Sequence, residues 1–136
     1  MSIGITKFNK QIKPRSSLLD GLVAFWPLDE PGGARRDAAK RYLLTDNNTV
    51  GTVQGLRGYA ASFVAASDES FSRADNDDVS GGSASFTISF WTRLTTLTGD
   101  MALVSKWKAA GDSDCDYLIR VSTTNFFFAV TTDGDA

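Results

Sequence analysis

Loop carboxylates are the residues of this sequence best suited to chemistry. Asp75-Asn76-Asp77-Asp78 and Asp112-Ser113-Asp114-Cys115-Asp116 each gather several side-chain oxygens in a short stretch of chain. Calcium takes six to eight oxygen ligands, so such runs are natural donors, with Asp75 and Asp77 as candidate ligands. The second run begins like an EF-hand loop, but Tyr117 stands where that loop needs glycine and no glutamate follows at its twelfth position. Solvated aspartates that bend or cap turns give the same pattern and are the commoner case.

Nucleophilic catalysis has little to work with. The sequence contains no histidine, which removes Ser–His and Cys–His machinery, imidazole-ligated zinc and imidazole pH switching together. Cys115 is the only cysteine, so neither an intrachain disulfide nor a multi-thiolate zinc site can form. Glycoside hydrolysis needs two carboxyl groups facing each other across a sugar. The only glutamates, Glu30 and Glu69, fall in turn-like contexts, and no aspartate pair is placed for the task. The sequence therefore reads as non-enzymatic.

Aromatic residues offer a different chemistry. A sugar-binding site combines an exposed ring with polar groups, and Trp107, flanked by Lys106 and Lys108, has the composition for one. Trp91 is a second candidate, although the strand context of both Trp91 and Trp107 favours a core position, as does that of Trp26. Lys7, Lys10, Lys13 and Arg15 precede the first acidic residue, and Pro14 disfavours a helix through them. Residues 1–19 accordingly read as a basic arm, either a solvated tail or an anchor to a partner. They lack the interleaved aromatics of a single-strand nucleic-acid binder. The net charge of −2 gives the whole chain no electrostatic attraction to nucleic acid.

The elements that must position these groups are strands. A chain of 136 residues fits one domain. Nine Phe, three Trp and three Tyr favour pleated surfaces. Leu22–Trp26 is apolar on both sides and is limited by Pro27. Glu30–Gly33 reads as a turn, Ala34–Arg41 as a short helical piece, and Asp46–Asn48 as a loop. Ala60–Ala65 and Ser70–Arg73 read as short strands. The strongest expected strand follows, with Phe86, Ile88 and Phe90 on one face and Thr87, Ser89, Trp91 and Arg93 on the other. Met101–Trp107 is another, and Tyr117–Ser122 with Asn125–Thr131 forms a hairpin around Ser122–Asn125. Short strands with regular polar breaks predict an all-β sandwich or jelly roll. No apolar run approaches the roughly 20 residues of a membrane span, and the N-terminal segment lacks the continuous apolar stretch of a secretory signal. Synthesis in a cytoplasm is expected, which also gives the Asn47-Asn48-Thr49 sequon little weight.

GLVAFWPLDE, LRGYAASFVAASDESFSR, SFTISFWTRL and ALVSKW occur in the order and approximate spacing of laminin-G-like domains, and the chain resembles that family over about residues 20–131. The resemblance implies a concanavalin A-like jelly-roll sandwich of antiparallel strands over residues 20–136. It implies no retaining-hydrolase site, because the closely spaced E-x-D-x-x-E run of the enzymatic relatives is missing. Calcium binding in the family draws attention to Asp29 and Asp68, which lie in the matching segments. Family members continue with further strands, so the resemblance also implies a domain that is partial, is completed by a partner, or is a minimal version of the fold.

Together these readings lead to an expectation of a structural or interaction protein. The favoured form is a virion-surface component, a phage capsid decoration or fibre-associated protein held by its arm and assembled as a homo- or hetero-oligomer. The competing expectation is a carbohydrate-binding module, calcium-dependent and extracellular, with Trp107 and Lys106 at the sugar. Neither involves nucleic acid or a membrane.

Overall fold

A computed structural model describes residues 20–81, 85–107 and 116–131 of the chain. These residues are all-β: every paired strand is antiparallel, and helix is confined to single 3-10 turns at Ala65–Ser67 and Asp77–Val79. The chain divides between Asp75 and Asn76 into two compact units.

In the first unit, β1 (Arg35–Arg36), β2 (Leu43–Asn47) and β5 (Ser70–Ser72) form one sheet with β2 in the middle. The strands β3 (Gly51–Gln54) and β4 (Tyr59–Ser62) form a separate hairpin. Alternation along β2 sends Leu44 and Asp46 to the face of Arg35 and Phe71, and Thr45 and Asn47 to the face of Ser70 and Ser72. On the polar face the Asn47 amide donates to the hydroxyls of Ser70 and Ser72 at 3.2 and 2.9 Å. The opposite face carries the packing, with Phe63 edge-on to Phe71 at 5.2 Å and the Arg35 guanidinium over the Phe71 ring at 4.7 Å. Val50, 1% exposed, is buried in this unit.

The expected helical piece at Ala34–Arg41 is instead β1 followed by a tight turn. Aspartate explains the difference, because its short carboxylate competes for nearby backbone N–H groups and favours turns over helix. Asp37 accepts from the N–H of Ala39 at 2.9 Å and of Arg41 at 3.1 Å, while Lys40 adopts a left-handed φ of 62°. The GLVAFW segment is also not a ladder strand. Pro27 has no N–H to offer, and Leu28 turns the backbone away with a φ of 59°.

In the second unit, β6 (Asp100–Lys106), β7 (Tyr117–Ser122) and β8 (Asn125–Val130) form a meander with β7 central. The expected hairpin is present, its two-residue turn at Thr123-Thr124 placing Ser122 opposite Asn125. A register shift between Ala102 and Val104 marks a bulge in β6. One face of this sheet carries Met101, Val104, Tyr117, Ile119, Val121, Phe126 and Phe128. Val121 is 1% exposed and is the buried apolar centre of the unit.

SFTISFW, the strongest expected strand, makes no ladder pairing among the described residues. Its start packs on the apolar face of the meander instead. Phe86 lies 5.5 Å from Tyr117 and 6.5 Å from Phe128, and Phe86, Thr87 and Ile88 line a shallow depression of about 300 Å³ with Ile119 and Phe128. A segment held by side chains on a sheet face has its backbone displaced from the sheet edge, where ladder bonds form. The core expectation for Trp91 falls with that strand, since Trp91 is 91% exposed, and Phe90 is 40% exposed.

Candidate functional site

The best-defined polar constellation surrounds Asp37, between β1 and β2. This side chain is almost fully buried, and its Oδ1 accepts the backbone N–H of Phe25 at 2.8 Å as well as that of Ala39. Its backbone joins the same knot: the Asp37 N–H donates to the Tyr42 carbonyl at 3.0 Å, and the Lys40 N–H to the Asp37 carbonyl at 2.8 Å. The Ala38 N–H donates to the Phe25 carbonyl at 2.7 Å, so Phe25 is tied on both sides of its peptide group. Burial pushes the Asp37 carboxyl up, but the backbone groups of Phe25, Ala39, Arg41 and Tyr42 outweigh it and hold the group below its ordinary value.

Beside this knot lies an open depression of about 1030 Å³, whose lining includes Glu30, Arg36, Lys40, Arg41 and Tyr42. Arg35, 0% exposed, precedes Arg36 in β1. Its guanidinium donates to the carbonyl of Gly33 and, at 3.4 Å, to that of Val50, and its Nε faces Glu30 Oε2 at 4.0 Å. The other Glu30 oxygen accepts the Arg36 N–H at 2.7 Å. Tyr42 carries the Arg73 guanidinium over its ring at 4.1 Å.

A second constellation lies in the other unit. Lys106 Nζ contacts Asp116 Oδ2 at 2.5 Å and also donates to the Ser80 hydroxyl. This places Lys106, expected at a sugar, inside a half-buried ion pair where its donors already have partners. The adjacent Trp107 is half-buried.

The expected calcium ligands are scattered. Asp29 is exposed on the extended segment after Leu28. Asp68, also exposed, ends the first 3-10 turn with a φ of 51°, and its carbonyl accepts from the Asn48 amide at 3.0 Å. Asp75 closes the first unit, and Asp77 opens the 3-10 turn capped by Asn76. Among the described residues no three acidic, histidine or cysteine side chains gather as a metal-binding group. The arm residues Lys7, Lys10, Lys13 and Arg15, and the run Asp112–Cys115, lie outside the described residues.

Reading by residue type missed the Asp37 knot, since Ala34–Arg41 read as a short helical piece. One signal was available: Gly32-Gly33 before the segment, and an aspartate two residues ahead of the N–H group it captures.

No protein-family model matches the chain, and neither a curated protein nor a solved structure matches it. No helix among the described residues is long and apolar enough to cross a membrane.

Proposed function

We propose that the chain is a non-enzymatic interaction module of laminin-G-like jelly-roll type that acts within an assembly. In its most specific form the proposal is a virion-surface protein, a capsid decoration or fibre-associated component anchored through the basic arm. The observation that carries this reading is the distribution of apolar surface. Val50 and Val121 are the buried apolar residues among those described, whereas Phe25, Phe63, Phe86, Phe90, Trp91, Phe126, Phe127 and Phe128 are exposed. Large exposed apolar surface marks a region that associates with another chain, and in the second unit Phe126 and Phe128 share one sheet face with Phe86 beside Phe128. The β8 edge adds to it: the NFFFAV strand pairs with β7 on one side and carries no charge or proline to discourage a further strand on the other.

Native mass spectrometry of the full chain from its natural source tests the general reading, with a stable oligomer or hetero-complex as the expected result. Proteomics of purified virions tests the specific one. A monodisperse monomer that leaves its apolar surface in water would defeat the first, and consistent absence from particles the second.

A carbohydrate-binding reading draws support from Trp91, whose 91% exposure suits an aromatic platform. It predicts saturable glycan binding that is weakened in Trp91→Ala or Trp107→Ala and, if calcium takes part through Asp29, Asp68, Asp75 or Asp77, lost on chelation. A glycan array that stays silent with calcium-loaded protein would count decisively against it.

A further inference from the structure

The depression at Asp37 is lined by three cations, Arg36, Lys40 and Arg41, against two carboxylates, Glu30 and Asp37. The three cations are all exposed, and none forms an ion pair among the described residues. Residues 30–41 hold four cations (Arg35, Arg36, Lys40, Arg41) against two carboxylates (Glu30, Asp37), a local charge of +2 in a chain of net charge −2. Both carboxylates are committed elsewhere, Glu30 to the Arg36 N–H and toward Arg35, and Asp37 to three backbone N–H groups.

The cations are also held in place. The turn carrying Lys40 and Arg41 is fastened by backbone bonds to Asp37, so positioning them does not depend on their own side chains. A presented set of this kind loses less entropy on binding than cations on a free loop.

We infer that this depression is a binding site for a phosphate or sulfate ester carried on a small organic body such as a sugar. Either ester group presents three terminal oxygens, matching three cationic donors, and guanidinium forks suit such oxyanions particularly well. A volume of about 1030 Å³ is far larger than a bare anion and lies at the upper limit of small-molecule sites. Nucleic acid is the poorer fit, because the Tyr42 ring in the lining already has a guanidinium stacked on it and so offers little as a base-stacking platform.

The test is calorimetric titration of the full chain, at constant ionic strength, with a sugar phosphate, a sulfated disaccharide, inorganic phosphate and a neutral disaccharide. The comparison protein is Arg36→Gln/Lys40→Asn/Arg41→Gln. It retains every backbone bond to Asp37, and asparagine tolerates the left-handed φ at position 40; an unchanged circular dichroism spectrum confirms that it folds. Saturable binding of at least one ester is expected, at least tenfold tighter than inorganic phosphate and weakened at least tenfold in the variant, since a bond to a charged group is worth about tenfold or more. Whichever ester binds more tightly identifies the source of the oxyanion. Dissociation constants weaker than about 1 mM for both esters would overturn the proposal. So would equal binding by the folded variant, equal affinity for inorganic phosphate, or equal affinity for the neutral disaccharide.

Discussion

The backbone N–H of Phe25 donates to Asp37 Oδ1 at 2.8 Å, joining two points twelve residues apart in the chain. That bond anchors the GLVAFW segment to the turn between β1 and β2. The segment is held by this carboxylate together with the Ala38 N–H on the Phe25 carbonyl and the Trp26 indole N–H on the Tyr42 carbonyl, where a conventional strand would be held by a ladder.

Removing this carboxylate should loosen both elements at once. Asp37→Ala leaves the N–H groups of Phe25, Ala39 and Arg41 without their acceptor, at about 1–3 kcal/mol for each buried group so orphaned. A loss of about 3 kcal/mol or more in urea unfolding is expected, with Asp37→Asn in between. A loss below about 0.5 kcal/mol, the range of an ordinary surface substitution, would refute the anchoring role.

The same group sets an acid limit. Its folded carboxyl is a stronger acid than the ordinary value of 3.8, so as pH falls the unfolded chain takes up the proton first. Its stabilisation is complete well above that value and is lost as pH falls through 3.8 and then the lower folded value. The difference in stability between wild type and Asp37→Asn should therefore shrink on acidification across this window. A difference that stays constant with pH would show that the carboxylate charge is not involved.

Gly81 is buried against Phe86, and a Cβ added there would lie 2.5 Å from the Phe86 ring. Gly81→Ala should cost about 1–3 kcal/mol, as overpacking does. Phe86→Leu in the same chain should recover part of it. Strict additivity of the two losses would show that the contact does not couple them.

Exposure separates the apolar residues into two classes. Val121→Ala should cost roughly 2 kcal/mol, because its side chain is withdrawn from water. Phe90→Ala and Trp91→Ala should cost less than about 1 kcal/mol in the isolated chain, below the 3–5 kcal/mol typical of a buried ring. Denaturant titration of the isolated chain decides this; a large loss at either aromatic would place it in a core.

The β8 edge should govern association. Phe127 shares a face with Arg120, whose guanidinium lies 5.0 Å from the ring, and a charge on an edge strand opposes further pairing. Phe127→Glu, whose carboxylate would face Arg120, should lower light scattering at high concentration with little change in unfolding midpoint. Unchanged scattering would exclude this edge as the associating surface.

The all-β character and the β7–β8 hairpin were legible in the sequence, because period-two patterning and turn residues act over a few neighbours and need no distant partner. β6 was found within a residue of each end for the same reason. The roles of Phe86, Phe90 and Trp91 were not legible: alternation shows which side chains share a face, but which face is covered depends on what packs there. Asp37 shows the limit most clearly. Its type and spacing announce a turn former, yet its importance comes from Phe25, which only the folded chain brings within 2.8 Å. Local residue chemistry thus determined the all-β character and the strands of the β6–β7–β8 meander, while tertiary structure decided whether GLVAFW and SFTISFW join a ladder, which backbone groups one buried carboxylate holds and which cations are left facing outward.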